Sequence, residues 1–172
     1  MIAPTETELA TAARRLGEAL RERGWRLATA ESSTGGLIGH AVTMIPGSSD
    51  YYPGGVISYS DQAKEQELGV PAELIATHGA VSAEVAAAMA DGVRRRFGAE
   101  LGVSVTGIAG PDGGSDAKPV GTHWIGISLG GHPTRVEHRV FGHYREGNKA
   151  AAAALALELA LGEVLTAASV EP

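Results

Sequence analysis

Two glycine-rich segments, each directly following a strand-like run, constrain this chain more than any other feature. One is AESSTGG (Ala30 to Gly36) and the other is VTGIAGPDGGSDAKPVGT (Val105 to Thr122). Glycine adopts positive φ and lets backbone approach a ligand closely. Ser, Thr and unbonded N–H groups at a following helix start hold anions such as phosphate. Two such loops in 172 residues point to an open α/β sheet with its ligand edge at the carboxyl ends of the strands.

The periodicities around these loops support that architecture. Thr5 and Glu8 form a capping-box pattern, Leu9, Ala13, Leu16 and Leu20 recur at helical spacing, and Gly24 is a stop signal. Trp25 to Ala30 reads as a strand and Gly35 to about Met44 as a helix. Ile45 to Gly55 reads as loop, and Val56 to Ser60 as a β-branched and aromatic strand. Asp61 is placed to cap a short helix over Gln62 to Leu68, and Pro71 to start another ending near His78–Gly79. Ser82 is placed to cap a third, with Val85, Met89, Val93 and Phe97 on one face. Leu101 to Val105 is a strand. Trp124 to Leu129 and Arg135 to Phe141 form a hairpin through Gly130, Gly131, His132 and Pro133. The last helix, about Arg145 to Ala168, is Ala/Leu-rich nearly all round and needs covering, by the core or by another copy of the chain. The expected fold is a single three-layer α/β/α domain with a mixed β-sheet, spanning residues 1–172.

Composition narrows the function classes. A formal net charge of −6 argues against a nucleic-acid partner. The cluster Arg94, Arg95, Arg96 ends a helix, where cations complement the dipole. No cysteine is present, so disulfides, thiolate catalysis and Cys-based metal sites are excluded. The six histidines show neither HxH nor HExxH spacing, so no metal site and no cofactor are expected. The N-terminus lacks a basic n-region and an apolar h-region, and Ala150 to Leu161 is too short to span a bilayer. A cytoplasmic protein without membrane contact is expected.

Chemistry-bearing residues gather at the predicted strand ends. Ser48 lies on a loop, Tyr59 at a strand end and Lys64 near the start of a helix. Helix-start potential and burial both disfavour a charged lysine, and a neutral lysine serves as general base toward a serine hydroxyl. Taken singly, Lys64 also reads as a solvent-facing helix lysine, Ser48 as a turn serine and Tyr59 as a half-buried strand residue. Ser33, Thr34, Gly35 and Gly36 read as an anion-holding turn or simply as helix caps. In the second loop, the Thr106 hydroxyl or N–H groups near Gly107 are candidate oxyanion donors. The run from Gly110 to Gly114 costs too much chain entropy to be a random connector. GxSxG is missing, so no Ser–His–Asp set is assembled by motif.

Together, AESSTGG, PGSS, Tyr59–Ser60 with Lys64, HGAVS and SVTGIAGPDGGSDAKPVGT resemble the CinA C-terminal domain family over nearly the whole chain. Larger members carry an N-terminal domain similar to molybdopterin-binding domains, so the resemblance implies the stand-alone form. It implies a metal-free amidohydrolase that converts nicotinamide mononucleotide to nicotinate mononucleotide and ammonia in pyridine nucleotide salvage. It further implies Ser48 as nucleophile, Lys64 as base, and Tyr59 and Thr106 as assistants. Arg145 and Gly110 are expected beside the substrate, with Arg145 on its phosphate. The family motif is commonly ESCTGG, with cysteine where this chain has Ser33. A thiol is thereby excluded, and Ser33 stands as the alternative nucleophile. A non-catalytic nucleotide-binding module with a competence- or damage-related role is the second reading, and a hydrolase of another amide the third. A homo-oligomer is expected from the apolar last helix.

Overall fold

The computed structural model describes residues 2–168. Residue 1 and residues 169–172, the ends of the expected domain, lie outside the described residues. The chain runs α1 (Glu6–Arg23), β1 (Leu27–Glu31), α2 (Leu37–Thr43), β2 (Gly54–Ile57), α3 (Asp61–Leu68), α4 (Ala72–His78), α5 (Ala83–Phe97), β3 (Leu101–Gly107), β4 (Thr122–Leu129), β5 (Arg135–Val140) and α6 (Arg145–Ala168). The five strands form one mixed sheet in the order β2-β1-β3-β4-β5. β1 pairs parallel with both β2 and β3, while β3–β4 and β4–β5 are antiparallel.

Helices cover both faces, giving the expected three layers. On one face, Leu9, Ala13, Leu16 and Leu20 of α1 meet Ala152, Ala153, Ala156, Leu157 and Ala160 of α6 over Leu27, Val103, Val105, Ile125 and Ile127 of the sheet. On the other, Val85, Met89 and Val93 of α5 pack on Ala28 and Ala30 with Leu68 and Val70. Each buried leucine contributes about 2 kcal/mol. Truncating Leu157, which is 1% exposed, to alanine would cost about 3 kcal/mol through the cavity it leaves. α6 is long and apolar enough to cross a bilayer by length and composition. Here its apolar face is instead seated on α1 and the sheet, so close packing of small alanines accounts for its hydrophobicity.

Local signals position these elements with a few corrections. The Thr5–Glu8 capping box forms, with Glu8 N donating to Thr5 Oγ1 at 3.3 Å and Thr5 N to Glu8 Oε2 at 2.7 Å. The cap of α3 is Ser60 and not Asp61, because the Ser60 hydroxyl accepts from Ala63 N at 3.1 Å. α2 is capped by Gly36 at φ 99°, a left-handed conformation that a side chain would strain. Neither Ser33 nor Thr34 caps it. β1 ends at Glu31, one residue later than the sequence suggests, and that single residue changes which serine reaches the ligand edge.

Candidate active site

The carboxyl ends of β1, β2 and β3 open into a cavity of about 250 Å³ whose lining includes Ser32, Ser33, Tyr59, Lys64, Thr106 and Arg145. Ser32 is the first residue past β1. Its N–H donates to Val105 O at 2.9 Å, which extends the β1–β3 pairing by one step. Gly35 N then donates to Ser32 O at 3.1 Å and closes a tight turn. Ser32 is therefore held by β3 on one side and by the glycine turn on the other.

Lys64 faces it from the first turn of α3. The side chain is 1% exposed, and its Nζ donates to Ser32 Oγ at 3.1 Å and to Ser58 O at 2.9 Å. Burial pushes the Lys64 pKa below its ordinary value of 10.5, with the Asp61 carboxylate acting the other way. A buried amine bonded to a serine hydroxyl has the geometry of a general base beside its nucleophile.

The structure brings Ser33, Tyr59, Lys64, Thr106, Gly107 and Arg145 to this cavity, while Thr34, Gly35, Gly36, Gly110 and Ser48 are not part of its lining. Ser48 sits in a 3-10 turn (Ser48–Asp50). Its carbonyl accepts from Tyr51 N at 3.1 Å, while Tyr51 O accepts from Leu27 N. Ser48 thus lies beside the start of β1, and Lys64 beside its end. Four strand steps, about 13 Å, separate those ends. The Ser48–Lys64 pair expected from sequence is not assembled, because the α2–β2 connection returns to the foot of the sheet before β2 climbs to the ligand edge. Ser33 lines the cavity, yet its Oγ is buried without a partner and has no base against it. Ser32, which the sequence reading did not single out, is the serine that the structure sets against Lys64. The usable signal was the β1 end: with the strand running through Glu31, Ser32 becomes the residue presented after it.

The first loop is not a helix-N-terminal anion site. Glu31, 1% exposed, turns its carboxylate back into the start of α2. There it accepts from Gly36 N at 3.1 Å, Ile38 N at 3.0 Å and Gly39 N at 2.8 Å. The N–H groups expected to hold phosphate are thereby filled by the chain's own anion. The Ser33 and Thr34 N–H groups donate to no acceptor among the described residues. Ser33 N–H directly follows the Ser32 hydroxyl, the usual position of an oxyanion donor after a nucleophile.

Thr106 and Gly107 end β3 and line the opposite wall. The Thr106 hydroxyl donates its proton to Ala80 O at 2.8 Å. It therefore offers lone pairs to the cavity, and the expected donation to an oxyanion is not available from it. Arg145, the first residue of α6, bridges three segments. Its Nη1 donates to Gly110 O at 2.6 Å and its Nη2 to Tyr59 OH at 3.2 Å. Tyr59 projects over the mouth, 63% exposed. Asn148 Nδ2 donates to Ala109 O at 3.0 Å. Lys118 Nζ donates to His78 O at 2.9 Å and Val81 O at 2.7 Å, fastening the second loop to the wall that carries Ala80. Away from the site, Arg94 is engaged with Ser128 and Arg96 with Glu67, so two of the three arginines of that cluster are spent on internal contacts. Among the described residues, no three His, Asp or Glu side chains converge as a metal-ligand group.

The model of the CinA C-terminal domain matches residues 9–164. The chain belongs to this family. A CinA-like protein of Syntrophobacter fumaroxidans is 51% identical over 151 residues, covering 88% of this chain and 35% of that protein. A CinA-like protein of Gemmatimonas aurantiaca is 59% identical over 109 residues, covering 63% of this chain and 26% of that protein. The chain thus spans about a third or less of these curated relatives' length. Among solved structures, a competence/damage inducible protein of Agrobacterium tumefaciens superposes with a TM-score of 0.87 at 38% identity, covering 94% of this chain and 99% of that one. A CinA superfamily protein of Klebsiella pneumoniae gives 0.88 at 34% identity, over 92% of this chain and 98% of that one. The CinA-family match spans β1 to β4 and most of α6, the segments that build the cavity.

Proposed function

We propose that this CinA-family domain is an amidohydrolase that releases ammonia from nicotinamide mononucleotide, with Ser32 as nucleophile and Lys64 as its base. The observation that carries this reading is the buried Lys64 Nζ held 3.1 Å from Ser32 Oγ. Neutral Lys64 takes the Ser32 proton as Oγ bonds to the carboxamide carbon. The oxygen that becomes negative is placed to accept from Ser33 N–H. Lys64 returns the proton to the departing nitrogen, which leaves as ammonia. Water then attacks the acyl-serine, giving the carboxylic acid and restoring the Ser32 hydroxyl. Thr106, with its proton committed to Ala80 O, accepts from the carboxamide N–H₂. Tyr59 and Arg145 close the mouth.

Ammonia and nicotinate mononucleotide should form from nicotinamide mononucleotide, insensitive to chelator. They should vanish in Ser32→Ala and persist in Ser48→Ala. Turnover surviving Ser32→Ala would refute the assignment. A second reading is a nucleotide-binding module without turnover, acting in competence or the damage response. It is favoured by the names of relatives, such as the putative competence-damage inducible protein of Moorella thermoacetica. Under that reading the wild type binds nucleotide and releases no ammonia.

A further inference from the structure

Lys149 lies on α6 one turn beyond Arg145, and residues four apart share a helix face. Its ammonium rests against the first glycine turn: a Cβ built on Gly35 would lie 3.6 Å from Lys149 Nζ. Among the described residues it has no carboxylate, carbonyl or hydroxyl partner, and Glu146, three residues earlier, forms no ion pair with it. Arg145 differs, since its guanidinium is already bonded to Gly110 O and Tyr59 OH. On the same turn as Gly35, Ser33 and Thr34 are 5% and 1% exposed, and both hydroxyl oxygens lack a partner. Ser33 also lines the cavity, as does Arg145. Buried unpartnered hydroxyls on the turn that an unpaired ammonium approaches at Gly35 call for an anionic acceptor.

We infer that Lys149, with the Ser33 hydroxyl, forms an anion subsite for a phosphate monoester at the far end of the Ser32–Gly35 turn. The ends of such a turn lie within about 7 Å. The subsite replaces two anchors expected from sequence, the α2 N-terminus filled by Glu31 and the Arg145 guanidinium committed to the mouth. For the identity of the substrate, this inference rests on the amidohydrolase reading. Its binding test does not.

Calorimetric titration with nicotinate mononucleotide and with its dephosphorylated riboside tests it without turnover. Wild type should bind the phosphorylated ligand at least about tenfold more tightly, the scale of one charge-assisted hydrogen bond. Lys149→Met should remove that difference and Lys149→Arg should keep it, with the fold of each checked by circular dichroism. A phosphate preference that persists in Lys149→Met, or is absent from wild type, overturns the subsite. Ammonia release is the separate readout. A Lys149-dependent phosphate preference without ammonia release would end the amidohydrolase reading and leave the subsite standing. Ammonia release without that preference would do the reverse.

Discussion

The two glycine-rich loops face one cavity but draw their side-chain anchors from different places. In the first, from Ser32 to Gly36, the side-chain anchor lies in its own sequence, while the Ser32 N–H pairs with Val105 O. Glu31 folds its carboxylate onto three N–H groups no more than eight residues away. The second, between Gly107 and Thr122, is fastened from outside. Arg145 and Asn148 of α6 hold its first half, and Lys118 ties its second half to the α4–α5 connection. A local anchor fixes geometry as soon as the strand–turn–helix unit forms. Long-range anchors fix it only when the whole domain is assembled. Under the proposed reaction the first loop carries the nucleophile, where a displacement of about 1 Å is costly. The strapped loop forms a wall, which must admit a ligand.

The largest expected effect is at the first loop's chemistry. Ser32→Ala or Lys64→Met should lower kcat/KM for nicotinamide mononucleotide by about a thousandfold or more, with each variant still folded. Equal activity in Lys64→Met would remove the catalytic half of the comparison. Next is the inner anchor. Glu31→Ala leaves three N–H groups, one buried and two partly buried, without their acceptor and should cost about 3 kcal/mol in urea unfolding. A loss below about 1 kcal/mol would show that the first loop does not depend on Glu31.

The outer strap should behave differently. Lys118→Met removes bonds to the His78 and Val81 carbonyls, and Lys118 is only partly buried, so global stability should fall by about 1 kcal/mol or less. Its effect should appear in faster hydrogen exchange at residues 79–82 and a kcat/KM reduced about tenfold, both recovered in Lys118→Arg. A global loss as large as that of Glu31→Ala would erase the distinction between the loops.

The smallest effect is the pH response of Lys64, whose pKa is lowered by burial. Catalysis needs the neutral amine, so kcat/KM should rise with pH through an ionisation below 10.5. Stability carries the same sign. Below the folded pKa both states bind the proton and the full burial cost is present. Between the folded and unfolded values only the unfolded chain binds it, so stability rises with pH, and above both the cost is gone. Lys64→Met should flatten both dependences.

Much of the fold was legible because its signals are local. The Thr5–Glu8 box, the Ser82 cap of α5, the glycine stops and the alternation of helices with strands act over a few residues each. The family resemblance likewise rested on contiguous runs, above all Val105 to Thr122. The lining of the candidate site was legible in part, but its pairing was not. Lys64, Tyr59, Thr106 and Arg145 were all expected beside a ligand, and all line the cavity. Ser48 was paired with Lys64 through the family resemblance. The parallel β1–β2 pairing carries them to opposite ends of a strand.

What the amino-acid sequence determined alone is which segments are helix, strand and glycine turn. The tertiary structure decided which serine meets Lys64. One further residue in β1 presents Ser32, and a parallel register brings α3 over it. It also decided that Glu31 fills the α2 N-terminus and that Lys149, more than a hundred residues along the chain, reaches the same turn. Capping and turn preferences act within one or two helical turns and leave a trace in neighbouring residues. Partnerships across the sheet depend on register and layer packing, which no short window of sequence contains.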